Sequence, residues 1–179
     1  EGSTTANFVN GVATFAGVKL TGTPGTTYKV KFTAGALTSP NSQDLIVTHN
    51  VADHLSVVQN FAGGRAGIGF TTPAKVRVLD RYGNTVTTGS QSSMVVRTNS
   101  SAGGSLTGAT QVPAVAGEAT FNSLILGGLV SNTYTITFST SNGSITTAAQ
   151  TGITIGYGYS DHVTITTQPA SVVGQTRNA

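Results

Sequence analysis

Alternation with a period of two dominates this chain. Between residues 133 and 138, Tyr134, Ile136 and Phe138 fall on one face and Thr133, Thr135 and Thr137 on the other, which is the pattern of a half-buried strand. Residues 27–32 repeat it, with Tyr28, Val30 and Phe32 set against Thr27, Lys29 and Lys31. The face that stays apolar in both stretches is the core face. The face that changes from Thr to Lys is the wet one, because a buried lysine needs a partner. No helix-length window free of Gly and Thr carries apolar residues at i, i+3, i+4 and i+7, so the expected fold class is all-β.

Both stretches belong to a longer repeat. GEATF at 117–121 and SNTYTITF at 131–138 are matched by NGVATF at 10–15 and TTYKVKF at 26–32, and Phe15 to Phe121 and Phe32 to Phe138 share an offset of 106 residues. Asp53-His54-Leu55 returns as Asp161-His162-Val163 at an offset of 108, and Leu45 and Val47 align with Ile153 and Ile155 at that same offset. The two extra residues fit the turn that follows the Phe32 strand, since length drift is absorbed by loops.

This repeat divides the chain into tandem antiparallel β-sandwiches, one complete and two partial, which the resemblance given below makes immunoglobulin-like. Residues 1–50 read as the late strands of one unit, with strands near 12–20, 26–33 and 43–48. Residues 51–157 read as a whole unit. Its strands are expected at 54–59, a short piece at 68–70, then 74–80, 92–98, 110–115, 117–126, 132–139 and 144–155. Turn signals fall at 81–84, 102–104, 127–128 and 142–143. Many short strands in about 105 residues are the mark of a sandwich. Residues 158–179 restart the opening strand. On this reading the chain is a window on an array, and the front strands carry an apolar face that more of the array, or another chain, must cover.

Composition narrows the class. Charged residues make up 8 % of the 179, and 31 Thr and 23 Gly take their place. With 37 % apolar residues and a net charge of +3, the chain is unlike a disordered one. No apolar run reaches membrane-spanning length. The nine Lys and Arg are scattered singly, unlike a nucleic-acid footprint. There is no cysteine, which removes disulfides and thiolate metal sites. The chain opens on Glu1, which reads as a mature or excised fragment, and its Thr, Gly, Ser and Asn richness leans towards a secreted or surface location.

The order of motifs resembles the bacterial immunoglobulin-like surface repeats of invasin- and intimin-type adhesins. The matching residues are VRVLDRYGNTV at 76–86, AGEATF at 116–121, TYTITF at 133–138 and DHVTITTQPA at 161–170. The resemblance implies an extracellular stalk or fibre of stacked sandwiches.

Candidate chemistry is sparse. Asp80-Arg81-Tyr82-Gly83-Asn84 could hold a cation or ligand on a loop, but its residue types are those of a turn begun by an Asp side chain. Asp53-His54 and Asp161-His162 pair a carboxylate with an imidazole at each unit border. With no nucleophile motif beside them, the reading taken is a linker role, Asp bonding backbone across the junction. Gly63-Gly64 and Gly103-Gly104 lack the helix and Lys-Ser/Thr pair of a phosphate cradle. Lys19, Lys29, Lys31 and Lys75 raise a Lys–Asn isopeptide staple, which needs a buried acid, and Lys29 and Lys31 sit on the wet face. Tyr28 and Tyr134 begin the strand at which a Tyr hydroxyl bonds back to the backbone in immunoglobulin-like folds. Tyr157 and Tyr159 are expected to pack at the junction. Asn99 and Asn142 begin Asn-x-Ser sequons and are read as plain surface positions.

The function expected is structural, with no catalytic, metal-binding or cofactor-binding residue and no enzyme activity. The partners expected are neighbouring repeats or other copies. The alternative is a module that recognises a glycan or host receptor through loops or an edge strand.

Overall fold

The computed structural model describes residues 2–167. Its architecture is all-β, as expected from the alternation. Among the described residues, fifteen strands are joined by turns and by one short 3-10 turn, Ser90–Ser93.

In the front segment six two-residue strands are formed: β1 (Phe8–Val9), β2 (Val12–Ala13), β3 (Thr27–Tyr28), β4 (Thr33–Ala34), β5 (Leu37–Thr38) and β6 (Leu45–Ile46). The rest follow as β7 (Ala52–Gln59), β8 (Lys75–Asp80), β9 (Val95–Ser100), β10 (Ser105–Gly108), β11 (Gln111–Pro113), β12 (Glu118–Thr120), β13 (Leu124–Gly127), β14 (Tyr134–Thr140) and β15 (Ala148–Ile153).

Two sheets make the main body, in the orders β12-β8-β7 and β11-β9-β14-β15, with β10 paired to β13. Each strand turns its apolar positions inward. Val76 and Val78 of β8, Ala119 of β12 and Leu55 of β7 meet Val96 of β9 and Tyr134, Ile136 and Phe138 of β14 in one core cluster, in a β-sandwich-like arrangement. Phe61, Phe121 and Phe138 fill its centre, with ring centroids 5.4–6.4 Å apart. Among the described residues, the buried hydrophobic positions all lie between Ala52 and Ile155.

The chain comes into this body at Asn50, whose N–H bonds Asp80. It leaves at Gly156, which exchanges backbone bonds with Gly64 and Ala66. His54 of β7 bridges Thr146 in parallel, and Leu55 N donates to Thr146 O at 3.0 Å. The two points therefore lie at opposite poles of the sandwich.

Several expected boundaries move. The stretch 117–126, read as one strand, breaks into β12 and β13, because Glu118–Thr120 pairs with β8 whereas Leu124–Gly127 pairs with β10. Phe121 sits between them with its ring in the core. Residues 68–70 form only isolated bridges, Arg65 to Ile68 and Gly69 to Ile125. β10 was not foreseen, since Ser105–Gly108 has a single large apolar residue, Leu106, and no alternation to betray it. The strand expected at 92–98 starts only at Val95, after the 3-10 turn.

The front strands are far shorter than expected at 12–20, 26–33 and 43–48. Apolar side chains there remain in solvent, including Phe8, Val12, Phe32, Leu37 and Ile46. Residues 161–167 carry no strand, and the remainder of the expected restart, 168–179, lies outside the described residues.

Candidate functional site

Two features stand out from the bulk of the fold: a set of contacts built twice, and the junction at Asn50.

The doubled set starts at a tight turn. Asn10 and Gly11 have φ of 51° and 77°, and Ala116 and Gly117 have φ of 48° and 79°. Asn10 and Ala116 are the two non-glycine residues at positive φ among the described residues. Each pair closes a hairpin: Val9 pairs with Val12, and Val115 bridges Glu118. Two successive left-handed residues make the hairpin turn whose twist matches the flanking strands.

Next comes an aromatic pair. Phe15 and Phe32 pack as a tilted pair with centroids 4.8 Å apart, and Phe121 and Phe138 do so at 5.4 Å.

The third element is a tyrosine held by its own loop. Tyr134 Oη donates to Leu129 O at 2.9 Å. In the front copy, Thr23 N donates to Tyr28 Oη at 2.9 Å. Gly128 and Gly22 sit against these two rings, where a Cβ would collide with the phenol. All three elements recur at the 106-residue offset read from the sequence.

The hairpin strands also keep their register. Tyr28 pairs with Leu45 as Tyr134 pairs with Ile153. Val30 O accepts from Ser42 N, and Ile136 pairs with Gln150, so the 106/108 double offset is a property of the hairpin itself.

The copies differ in cover. Tyr134, Phe121 and Phe138 are fully buried, whereas Phe32 is 45 % exposed.

At the junction the sequence-predicted turn becomes a hub. Asp80, fully buried, accepts the N–H of Tyr82 and of Asn84 and the side-chain amide of Asn84. It also accepts the N–H of Asn50 at 2.9 Å. Burial pushes its carboxyl pKa up, but the bonds from Asn50, Asn84 and Tyr82 outweigh that, and the net direction is down. Bonds to the ionised form favour it. Two further ties flank this one. His49 Nδ1 faces Asn50 O at 2.9 Å while Nε2 accepts Thr88 N at 3.2 Å. Ala52 N donates to Gln91 Oε1 at 3.0 Å. A cleft lined by Val18, Lys19, Leu20, Asp80 and Tyr82 opens between the front segment and the main body.

The junction role expected of Asp53-His54 therefore belongs to Asp80. The Asp53 carboxylate reaches only its neighbour, His54 Nδ1, at 3.0 Å; strict alternation would set Asp53 on the face of Leu55, but the register shift between Ala52 and His54 interrupts it and leaves Asp53 in solvent. Asp161 pairs with His162 in the same local way. Sequence reasoning missed the reach of Asp80 to Asn50, and its only signal was an Asp at an inward-facing strand position. Tyr157 and Tyr159 do not pack as expected; they are 80 % and 86 % exposed.

Two of the candidate lysines, Lys29 and Lys75, form ion pairs. Lys29 meets Asp44 at 2.6 Å in solvent, and Lys75 and Arg77 both hold Glu118, at 3.3 and 2.8 Å. Arg77 bonding lowers the Glu118 pKa, burial opposes it, and Lys75 adds to the lowering. Among the described residues, no group of three or more His, Cys, Asp or Glu could hold a metal, and no helix is long and apolar enough to cross a membrane. A scan against protein-family models matches none, and a search of curated proteins finds no match.

Proposed function

We propose that the chain is a structural segment of an extracellular bacterial fibre, stalk or surface layer, built from tandem immunoglobulin-like repeats that space a distal tip or assemble with one another. The observation that carries the reading is the doubled set of turn, aromatic pair and tyrosine anchor at a fixed offset. A unit written twice with the same local devices is suited to setting length by repetition, since in a repeat array each unit contacts only its neighbours. The order of motifs resembling invasin- and intimin-type repeats supports a place at the cell surface. The junction at Asn50, tied by Asp80, His49 and Gln91, supports a fixed angle between successive units and hence a rod. No catalytic role is assigned to any residue.

An antibody against the 51–157 unit is expected to label intact cells of the source organism, in lines or patches outside the envelope. Labelling that needs permeabilised cells overturns the reading.

A further inference from the structure

We propose that this chain associates end to end with a second copy of itself by strand donation: residues 161–167 of one molecule dock beside Thr38 in the front hairpin of the next. The inference rests on the repeat reading above and names the partner for its exposed face.

The complete unit shows the geometry to be reproduced. There, β7 lies beside Thr146, with Leu55 N donating to Thr146 O and Thr146 N donating to Asp53 O. Leu55 enters the core and Val57 packs against it.

Each half of that contact exists a second time, unpaired with the other. The donor is Asp161-His162-Val163-Thr164-Ile165, the counterpart of Asp53-His54-Leu55-Ser56-Val57. Its two core-facing residues, Val163 and Ile165, are 95 % and 72 % exposed. The acceptor is Thr38, which stands 108 residues before Thr146. Ser39 N bonds Phe32 O, which makes Thr33 and Thr38 a non-hydrogen-bonded pair. The Thr38 N–H and C=O then point away from its hairpin partner, along the outer edge. Phe32 and Leu37 flank it with 45 % and 76 % of their surface in solvent.

An added strand gains backbone bonds from the free edge and specificity from alternate side chains entering the apolar face. Donor and acceptor lie beyond opposite poles of the 51–157 sandwich, where the chain comes in at Asn50 and leaves at Gly156. The contact is therefore between molecules, and being head to tail it propagates into chains.

The test uses the 179-residue protein and two variants, with mass followed by sedimentation velocity as concentration rises. Val163→Asp with Ile165→Asp disables the donor at two exposed positions. Thr38→Pro removes the edge N–H from the acceptor. A far-ultraviolet melt verifies that the main sandwich is intact in both. The wild type is expected to grow beyond a dimer and each variant to stay monomeric. An equal mixture of the two variants should stop at twice the monomer mass, because one intact donor meets one intact acceptor. A wild type that stays monomeric, a single variant that still associates, or a mixture that stays monomeric overturns the proposal. A monomeric wild type whose unit still labels the surface of intact cells leaves the fibre reading standing, so the two failures are distinct.

Discussion

The carboxylate of Asp80 accepts the backbone N–H of Asn50 at 2.9 Å across thirty residues of chain, and in doing so fixes where the front segment meets the main sandwich. The same side chain organises its own turn through Tyr82 and Asn84, so one buried charge serves two jobs.

Removing that charge leaves several donors without an acceptor. Asp80→Ala is expected to destabilise the main unit by about 3 kcal/mol, in line with hydrogen bonds to a buried charge. Urea denaturation measures it. A loss below about 1 kcal/mol would show that water replaces the carboxylate at no cost.

Acid should act through the same group. The folded pKa of Asp80 is lowered, and so is that of Glu118. A carboxylate whose folded pKa is depressed contributes stability that is full above its unfolded pKa and lost as pH falls through the folded one. Stability is therefore expected to be flat above the ordinary carboxylate range and to drop below it. In Asp80→Asn the drop should be shallower. Thermal melts across acid pH provide the comparison.

The tyrosine anchor separates a bond from a shape. Tyr134→Phe removes one hydrogen bond to Leu129 O and is expected to cost about 1 kcal/mol. Gly128→Ala forces a methyl into the space of the phenol. Its cost should be larger, in the range of about 1–3 kcal/mol for overpacking. Equal or reversed costs would mean the loop at 127–129 moves freely, which denaturation of both variants would reveal.

Ala116 occupies a left-handed conformation that costs an L-residue roughly 1–2 kcal/mol. The first copy places Asn10 at the matching position, with φ of 51°, a residue that tolerates it. Ala116→Asn is therefore expected to stabilise the main unit by about 1 kcal/mol. A neutral or negative change in melting temperature would show that the strain is relieved in solution by another turn.

The aromatic pair tests whether the front copy lacks its cover. Phe138→Ala should cost about 3–5 kcal/mol, as for a buried ring. Phe32→Ala, at a ring 45 % exposed, should cost well under half of that in the 179-residue chain. Hydrogen exchange at the neighbouring strand amides reads both.

Much of this was legible in the chain itself. Tyr134, Ile136 and Phe138 announced their face because a strand half in water must alternate, and the matched offsets of Phe15/Phe121 and Phe32/Phe138 marked these rings as equivalent, though not that the two rings of each copy touch. What stayed hidden was whatever depends on partners far along the chain. The break at Phe121 arises because β12 and β13 pair with different strands, and nothing local in GEATFNSLIL marks a change of partner. The reach of Asp80 to Asn50 was equally silent, since the turn it starts already accounts for an Asp there. Asp53 was misread for the converse reason: recurrence at each border suggested a bond across it, but the break in β7 register between Ala52 and His54 turns the carboxylate outward.

The poles at which the polypeptide crosses the sandwich carry a mechanical consequence. Because β7 and the run into β15 point the same way, pulling Asn50 and Gly156 apart slides these edges past one another lengthwise. The bonds of β7 to β8 and to Thr146 then resist as a group in shear instead of opening one by one like a zip, so rupture under tension is set by the whole edge at once.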